Sequence, residues 1–305
     1  MYFRAMSDRA GPVGATPVAA VISAFNPTAG LLDACRSALH QVGSVVVVDD
    51  GSSSSAEEVL AACAALGVEV LRHDGNRGVA AALNTGITAA RRPGTPTDPR
   101  FVLTMDQDST LPAGYVDDLV EVADAAAATG VAVGLVGPER VAGIGSMVLR
   151  REDGLLIGRE PVQSGLLIPT QVLDTLGLLD EGLFIDGVDS ELYLRVRAAG
   201  LAVLVAPGTH LEHQLGTSTA LAGDHGLQLT HAAAFRYYYI TRNRVTLVRR
   251  HARVAAGWCV RSIVKDLRHL VITTLLVPGR RARWSAVRAG LMDGLRGVSG
   301  PRPAR

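Results

Sequence analysis

Cysteine is scarce: Cys35, Cys63 and Cys259 are the only three in 305 residues. None stands in a C-x-x-C or Cys/His spacing, which argues against a zinc ribbon or a dithiol redox motif. All three read as small buried hydrophobes in a reducing compartment. Aromatics make up only 4% of the chain, so core volume has to come from Ala, Val and Leu. Lys265 is the single lysine in an arginine-rich sequence. No run of 18 uninterrupted apolar residues occurs, which argues against a transmembrane helix. The N-terminal MYFRAMSDRAGPVGATP lacks the apolar stretch of a secretory signal, and residues 1–16 read as a disordered lead-in. No G-x-G-x-x-G follows the first apolar run, which disfavours a dehydrogenase.

What is present suits a globular chain, with 48% apolar and 19% charged residues. Short apolar runs alternate with helical spacings. Val18–Ala24 is of strand length and ends in the turn signal Phe25-Asn26-Pro27. Leu31–His40 has helical spacing. Ser44–Val48 has no polar face, the mark of a strand buried on both sides. Helix Ala56–Leu66, strand Val68–Leu71, helix Val79–Ala90 and strand Phe101–Leu103 follow. This alternation predicts a doubly wound α/β sheet. Further on, helix Tyr115–Thr129, strands Val131–Val136 and Leu201–Val205, and an irregular excursion over Gly143–Gly158 are expected. Ser164-Gly165 before an apolar run suggests close backbone approach to a ligand.

Polar residues collect where such sheets bind ligands, at the carboxyl ends of the strands. Asp49 and Asp50 end the second strand. Asp106 and Asp108 end the fourth; in a continued strand, residues i and i+2 point the same way, so both carboxylates reach one cation. A hard divalent ion, Mg²⁺ or Mn²⁺, relieves their repulsion and binds through one or two carboxylates plus substrate phosphates. Asp and Ser are also ordinary turn residues, so the D-x-D gains weight only from its neighbours. Arg77 lies beside a helix start, where it reads either as an anion contact or as a solvated arginine. Asp180, Glu181, Asp186, Asp189 and Glu191 alternate with the core-type residues Phe184, Ile185 and Val188, where an acid cluster is otherwise a solvated face. From Arg236 onward sixteen Lys/Arg face two acids, Asp266 and Asp293. Basic amphipathic helices of this kind read as surface-associating with anionic membranes or as packed back on the core. No nucleic-acid motif accompanies them.

The order of VISAFNP (21–27), VVDDGSSS (47–54), NRGVAAALNTGI (76–87), DQDS (106–109), SGLLIP (164–169), LFIDGVDSELYLR (183–195) and HQLG (213–216) resembles family 2 glycosyltransferases of the GT-A fold. Among these it is most similar to bacterial rhamnosyltransferases of cell-surface polysaccharide assembly. The resemblance spans roughly residues 18–250. It implies a GT-A catalytic domain over 17–216, a mixed doubly wound sheet, and a helical, basic C-terminal region over 217–305. It implies that Ala24, Phe25 and Asn26 line the base and ribose, that Asp50 reads them with Asp49 before it, and that Asn76, Arg77 and Gly78 lie near the diphosphate. Asp106 and Asp108 match the D-x-D pair, and His213 the histidine completing the metal or diphosphate site. Asp189 matches the catalytic base and Glu191 the acid that supports it. The implied activity is inverting, metal-dependent transfer of L-rhamnose from dTDP-L-rhamnose to a lipid-linked glycan at the cytoplasmic face of the plasma membrane. A UDP-sugar donor (galactofuranosyl or N-acetylhexosaminyl transfer) and a non-catalytic nucleotide-sugar scaffold stay open as alternatives. So do homodimerisation and contact of the basic tail with lipid.

Overall fold

β-branched, two-sided apolar runs dictate the central layer. In the computed structural model, which describes residues 18–92, 98–212, 217–220 and 228–302, β1 (Val18–Ala24), β2 (Ser44–Asp49), β3 (Glu69–Arg72) and β4 (Phe101–Asp106) lie in the order β3-β2-β1-β4 and are all parallel. Alternate residues of β1 feed opposite faces. Val18, Ala20, Ile22 and Ala24 enter one core, with α1 (Gly30–Leu39) and α2 (Glu57–Ala65). Ala19 and Val21 enter the other, with α3 (Val79–Ala90). A strand packed on both faces can spare no polar side, and β1 has none that is exposed.

After α4 (Tyr115–Ala128) the sheet becomes mixed. Strands β5 (Val133–Val141), β6 (Gly145–Ser146), β7 (Val148–Glu152) and β8 (Leu155–Gly158) lead to β9 (Leu166–Pro169), which inserts antiparallel between β4 and β5. The expected irregular excursion over 143–158 therefore contains a regular hairpin, β7–β8, at the sheet edge. Helices α5 (Thr170–Leu176) and α6 (Val188–Ala198) precede β10 (Ala202–Leu211), parallel to β5. Strands β5 and β10 run further than their apolar runs suggest, because Arg140 pairs with His210 and Val141 with Leu211 beyond a register shift. A two-stranded sheet, β11 (Thr217–Ala220) with β12 (Gln228–His231), stands apart.

Three helices close the chain: α7 (Arg236–His251), α8 (Ala256–Leu276) and α9 (Arg280–Arg296). The first is packed into the core rather than appended to it. Tyr238 and Arg242 are fully buried, and Leu247, Trp258 and Cys259 join the α3 side of the core. Helix α9 lies against α7 because Gly290 carries no side chain; a Cβ there would stand 2.3 Å from the Tyr238 carbonyl oxygen. All three cysteines are buried free thiols. Cys35 and Cys63 sit with their sulfurs 3.8 Å apart between α1 and α2.

Candidate active site

Connections leave β1 in one direction, to β2, and return from β3 to β4 on its other side. The β1/β4 carboxyl ends are thus the topological switch point, where open α/β sheets hold their ligands. The loops meeting there are tied together. Gln107, between the two acids of the D-x-D, accepts from the Phe25 N–H through its side-chain oxygen at 2.8 Å. Asn26, at φ +47°, donates its N–H to Ser52 Oγ at 2.6 Å and accepts from the Ser53 N–H at 3.0 Å. Phe25 is 46% exposed at this rim, beside the switch point. Ala24 is buried and pairs with Asp49 across the sheet.

The acidic pair of β2 is occupied by protein groups. Asp49, fully buried, accepts from Arg72 Nε at 3.0 Å and from the Ser52 hydroxyl. Asp50 accepts from the Arg77 and Gly78 N–H groups at 2.9 and 2.7 Å, and its other neighbour is His73 Nδ1 at 2.7 Å. Its carboxylate thus shapes the 73–78 loop. Asn76 and Arg77 are exposed, with Arg77 Nη2 3.6 Å from Glu181. Gly78 has φ +96°, and a Cβ there would lie 2.4 Å from the Phe184 carbonyl oxygen. The glycine lets this loop touch the one that carries Asp189.

Strand β4 ends at Asp106, and Gln107 and Asp108 enter a turn closed by the Ser109 N–H on the Asp106 carbonyl at 3.3 Å. The simple i, i+2 geometry of a continued strand therefore does not apply. Asp106 is half-buried and Asp108 exposed. The Asp106 N–H donates to Ser164 Oγ at 3.0 Å, and that hydroxyl donates to Ser109 Oγ at 2.7 Å. On the protein side, Ser164-Gly165 packs closely against α4, where the Tyr115 hydroxyl donates to the Gly165 carbonyl at 2.7 Å. His213 lies outside the described residues. Among the described residues no group of three His, Cys, Asp or Glu is placed to hold a metal. Asp106 and Asp108 carry carboxylate oxygens, the hard donor type that Mg²⁺ and Mn²⁺ take.

Asp189 stands in the first turn of α6, half-buried, with the Ser190 N–H donating to it at 2.8 Å. Burial pushes its carboxyl up to about 7, helped by the charge of Glu160 and then by Asp186 and Asp106, against the opposing Ser190 hydrogen bond. Its three charged neighbours come from three separate stretches of chain. Glu160 itself accepts from the Ser190 hydroxyl and from Trp258 Nε1, the latter at 2.7 Å. Arg236 forks onto Asp186 and stays protonated despite burial, because Asp186, Asp106 and Asp189 surround it. Glu191 points elsewhere. It is buried and accepts from Arg195 Nε through both oxygens at 3.0 and 2.7 Å. Arg195 in turn caps the carbonyls of Leu176, Gly177 and Leu178, so Glu191 braces α6.

The segment leading into α6 is strained. Phe184, at φ +64° and ψ −67°, is the centre of a γ-turn of the rare hand, closed by the Ile185 N–H on the Leu183 carbonyl at 2.7 Å. Asp186 also has positive φ, +66°. Such conformations persist only when the surroundings over-determine them, and here α7 does so. Asn243 Nδ2 lies 2.9, 2.8 and 2.6 Å from the carbonyls of Leu183, Ile185 and Asp186. Arg242 donates to the carbonyls of Gly182 and Leu183 at 3.0 and 2.9 Å, and its guanidinium lies over the Tyr239 ring at 5.0 Å. The Phe184 ring stacks on Tyr239. Asn243, Arg242, Arg236, Glu160 and Gln107 are the site-forming residues that the motifs alone do not single out.

Residues 19–160 match the family model for Glycosyl transferase family 2. A curated relative, dTDP-rhamnosyl transferase RfbF of Shigella flexneri, is 26% identical over 239 residues, covering 74% of this chain and 77% of that one. Among solved structures, S. aureus TarS 1-349 in complex with UDP-GlcNAc aligns with a TM-score of 0.53 at 13% identity over 92% of each chain. A longer S. aureus TarS structure aligns with a TM-score of 0.52 at 14% identity; the match covers 92% of this chain and 54% of that one. The shared fold is GT-A, here with a C-terminal helical region.

Proposed function

We propose that this chain, a family 2 glycosyltransferase, moves L-rhamnose from dTDP-L-rhamnose onto a lipid-linked cell-surface glycan, by a single displacement that inverts the anomeric centre. The observation that carries the reading is Asp189. It is a half-buried carboxylate at a helix start, pushed up to about 7, beside the D-x-D that ends β4. A general base poised near the working pH combines a useful ionised fraction with real proton affinity, and is typically worth about 10²–10⁴-fold in rate. In this reading Asp189 takes the proton of the attacking acceptor hydroxyl. Asp106 and Asp108 hold a divalent cation, Mg²⁺ or Mn²⁺, which when bound neutralises charge on the departing nucleoside diphosphate. Phe25 and Asn26 line the base and ribose, with Asp50 acting through the loop Asn76–Gly78 that it shapes. No second carboxylate nucleophile is required.

Rhamnose rests on the Shigella relative; the UDP-GlcNAc complex of TarS favours a UDP-sugar as the second reading. Thermal stability with a panel of nucleotide-sugars, with and without Mn²⁺, separates the two. A ligand present at a hundred times its Kd adds about 2.7 kcal/mol to stability. The expected result is a metal-dependent rise in Tm with dTDP-rhamnose above any UDP-sugar. A rise with UDP-sugars alone moves the donor to the second reading, and no rise with any donor refutes a nucleotide-sugar site.

A further inference from the structure

Helix α8 carries an apolar stripe that the protein does not cover. Val260, Ile263, Val264, Leu267, Val271 and Leu275 are each at least 38% exposed. At 3.6 residues per turn they fall within an arc of about 120°, while Cys259, Ser262, Leu270 and Thr273 face the protein. Arg261, Lys265 and Arg268 are exposed on the adjoining flank. Helix α9 continues the pattern with exposed Trp284, Leu291 and Leu295 and exposed Arg280, Arg281 and Arg288. The two acids of this region are both taken up internally: Asp266 pairs with Arg244, and buried Asp293 accepts from the Tyr238 hydroxyl. No described helix is long and apolar enough to cross a membrane.

We propose that the α8 stripe and its cationic flank dock this protein in the plane of an anionic lipid bilayer. Charge selects this occupant over a second copy of the chain. A two-fold interface places the same patch on itself, which would bring Arg261, Lys265 and Arg268 against their own images with no exposed carboxylate on α8 or α9 to meet them. An anionic headgroup layer meets both demands at once, since apolar side chains sink to the acyl boundary while Lys and Arg stay at the phosphates. The docked face is also wired to the chemistry. Trp258, buried at the start of α8, donates to Glu160, which accepts from the hydroxyl of Ser190 next to Asp189. Its benefit to catalysis rests on the lipid-linked acceptor proposed above; the docking itself does not.

Flotation of the full chain with vesicles of phosphatidylglycerol and phosphatidylethanolamine, against pure phosphatidylcholine, tests this without donor or acceptor. Each cation near an anionic surface is worth roughly five-fold in partitioning, so the triple variant Arg261→Gln/Lys265→Gln/Arg268→Gln should bind roughly 100-fold more weakly. Leu267→Glu/Val271→Glu should not float at all. Both should keep the wild-type Tm, because the replaced side chains are exposed. A wild-type chain that stays in solution, or a stripe variant that floats like wild type, overturns the proposal. So does a micromolar wild-type dimer in sedimentation that the stripe variant splits, which gives the face to a second copy. Turnover on a water-soluble acceptor fragment, run on the same proteins, keeps the two failures apart: a protein that floats but transfers nothing refutes the transferase reading alone.

Discussion

Replacing Asn243 by leucine, which branches alike but carries two methyl groups, removes the side-chain amide from under the segment leading to Asp189. Three carbonyls converge on its nitrogen. Leu183 keeps Arg242 as a donor, so two carbonyls, those of Ile185 and Asp186, are put at risk, and the Nε–H of buried Arg242 also loses the Asn243 Oδ1 to which it donates at 2.9 Å. An unsatisfied buried carbonyl costs about 1–3 kcal/mol. Both belong to half-buried residues and can turn toward water, so the low end applies, about 2–3 kcal/mol for the pair. The positive-φ residues Phe184 and Asp186 store strain of comparable size, of order 1–3 kcal/mol each, and it is released if the loop relaxes. The balance therefore tips toward a relaxed loop within an otherwise folded protein. A displacement of about 1 Å at a catalytic group can cost 10²-fold. Asn243→Leu should therefore show kcat reduced about 100-fold, a donor KM within a few-fold of wild type, and a Tm lower by about 4–8 °C. The assay is initial-rate transfer from nucleotide-sugar to a soluble acceptor, alongside a thermal melt. Wild-type kcat in a variant whose Tm has fallen would refute the idea that α7 positions the base.

The pH dependence of Asp189 has a definite sign. As the proposed general base, Asp189 would work deprotonated, so kcat/KM should rise with pH through about 7 and then level off, and Asp189→Asn should lose about 10²–10⁴-fold in kcat while still binding donor. Stability moves the opposite way. A carboxyl whose folded pKa lies above its unfolded value binds its proton more tightly in the native state, so its contribution falls as pH rises from about 4 to about 7. In metal-free buffer Asp189→Asn should therefore melt higher than wild type at pH 8 and no higher at pH 4; the reverse order would contradict the burial of that carboxylate. Gly78→Ala combines a forbidden φ with a 2.4 Å contact on the Phe184 carbonyl. It should lower both Tm and turnover, and a neutral result would show that the two loops are free to separate.

Much of the sheet is legible in the sequence because its strands are buried on both faces and lack polar positions, as in Ala19–Ile22 and Val45–Val48. The ends of β5 and β10 are not, since Arg140 and His210 pair there through backbone alone. The D-x-D announces itself by an apolar run ending in acid, but the turn that begins after Asp106 depends on Ser109 and Ser164, the latter 58 residues away from Asp106. Glu191 reads as a site acid from its motif, yet Glu-x-x-x-Arg is also the favoured i,i+4 ion pair of a helix, and that is how Arg195 uses it. Asn243 gives no local signal. An asparagine between two arginines in a helix looks solvated until the chain folds back and sets its amide under carbonyls 57 to 60 positions earlier.

That return contact orders events in time. A ribosome delivers β1 through α6 first, with the D-x-D and Asp189 already polymerised but the γ-turn at Phe184 still unlatched. The latch closes only when Asn243 and Arg242 emerge, and it is completed later still, when Gly300 gives its N–H to the Gly182 carbonyl and its carbonyl to Arg242. A nascent chain therefore carries Asp106, Asp108 and Asp189 before the turn at Phe184 is held, and α7 with the Gly300 segment after α9 supplies what holds it.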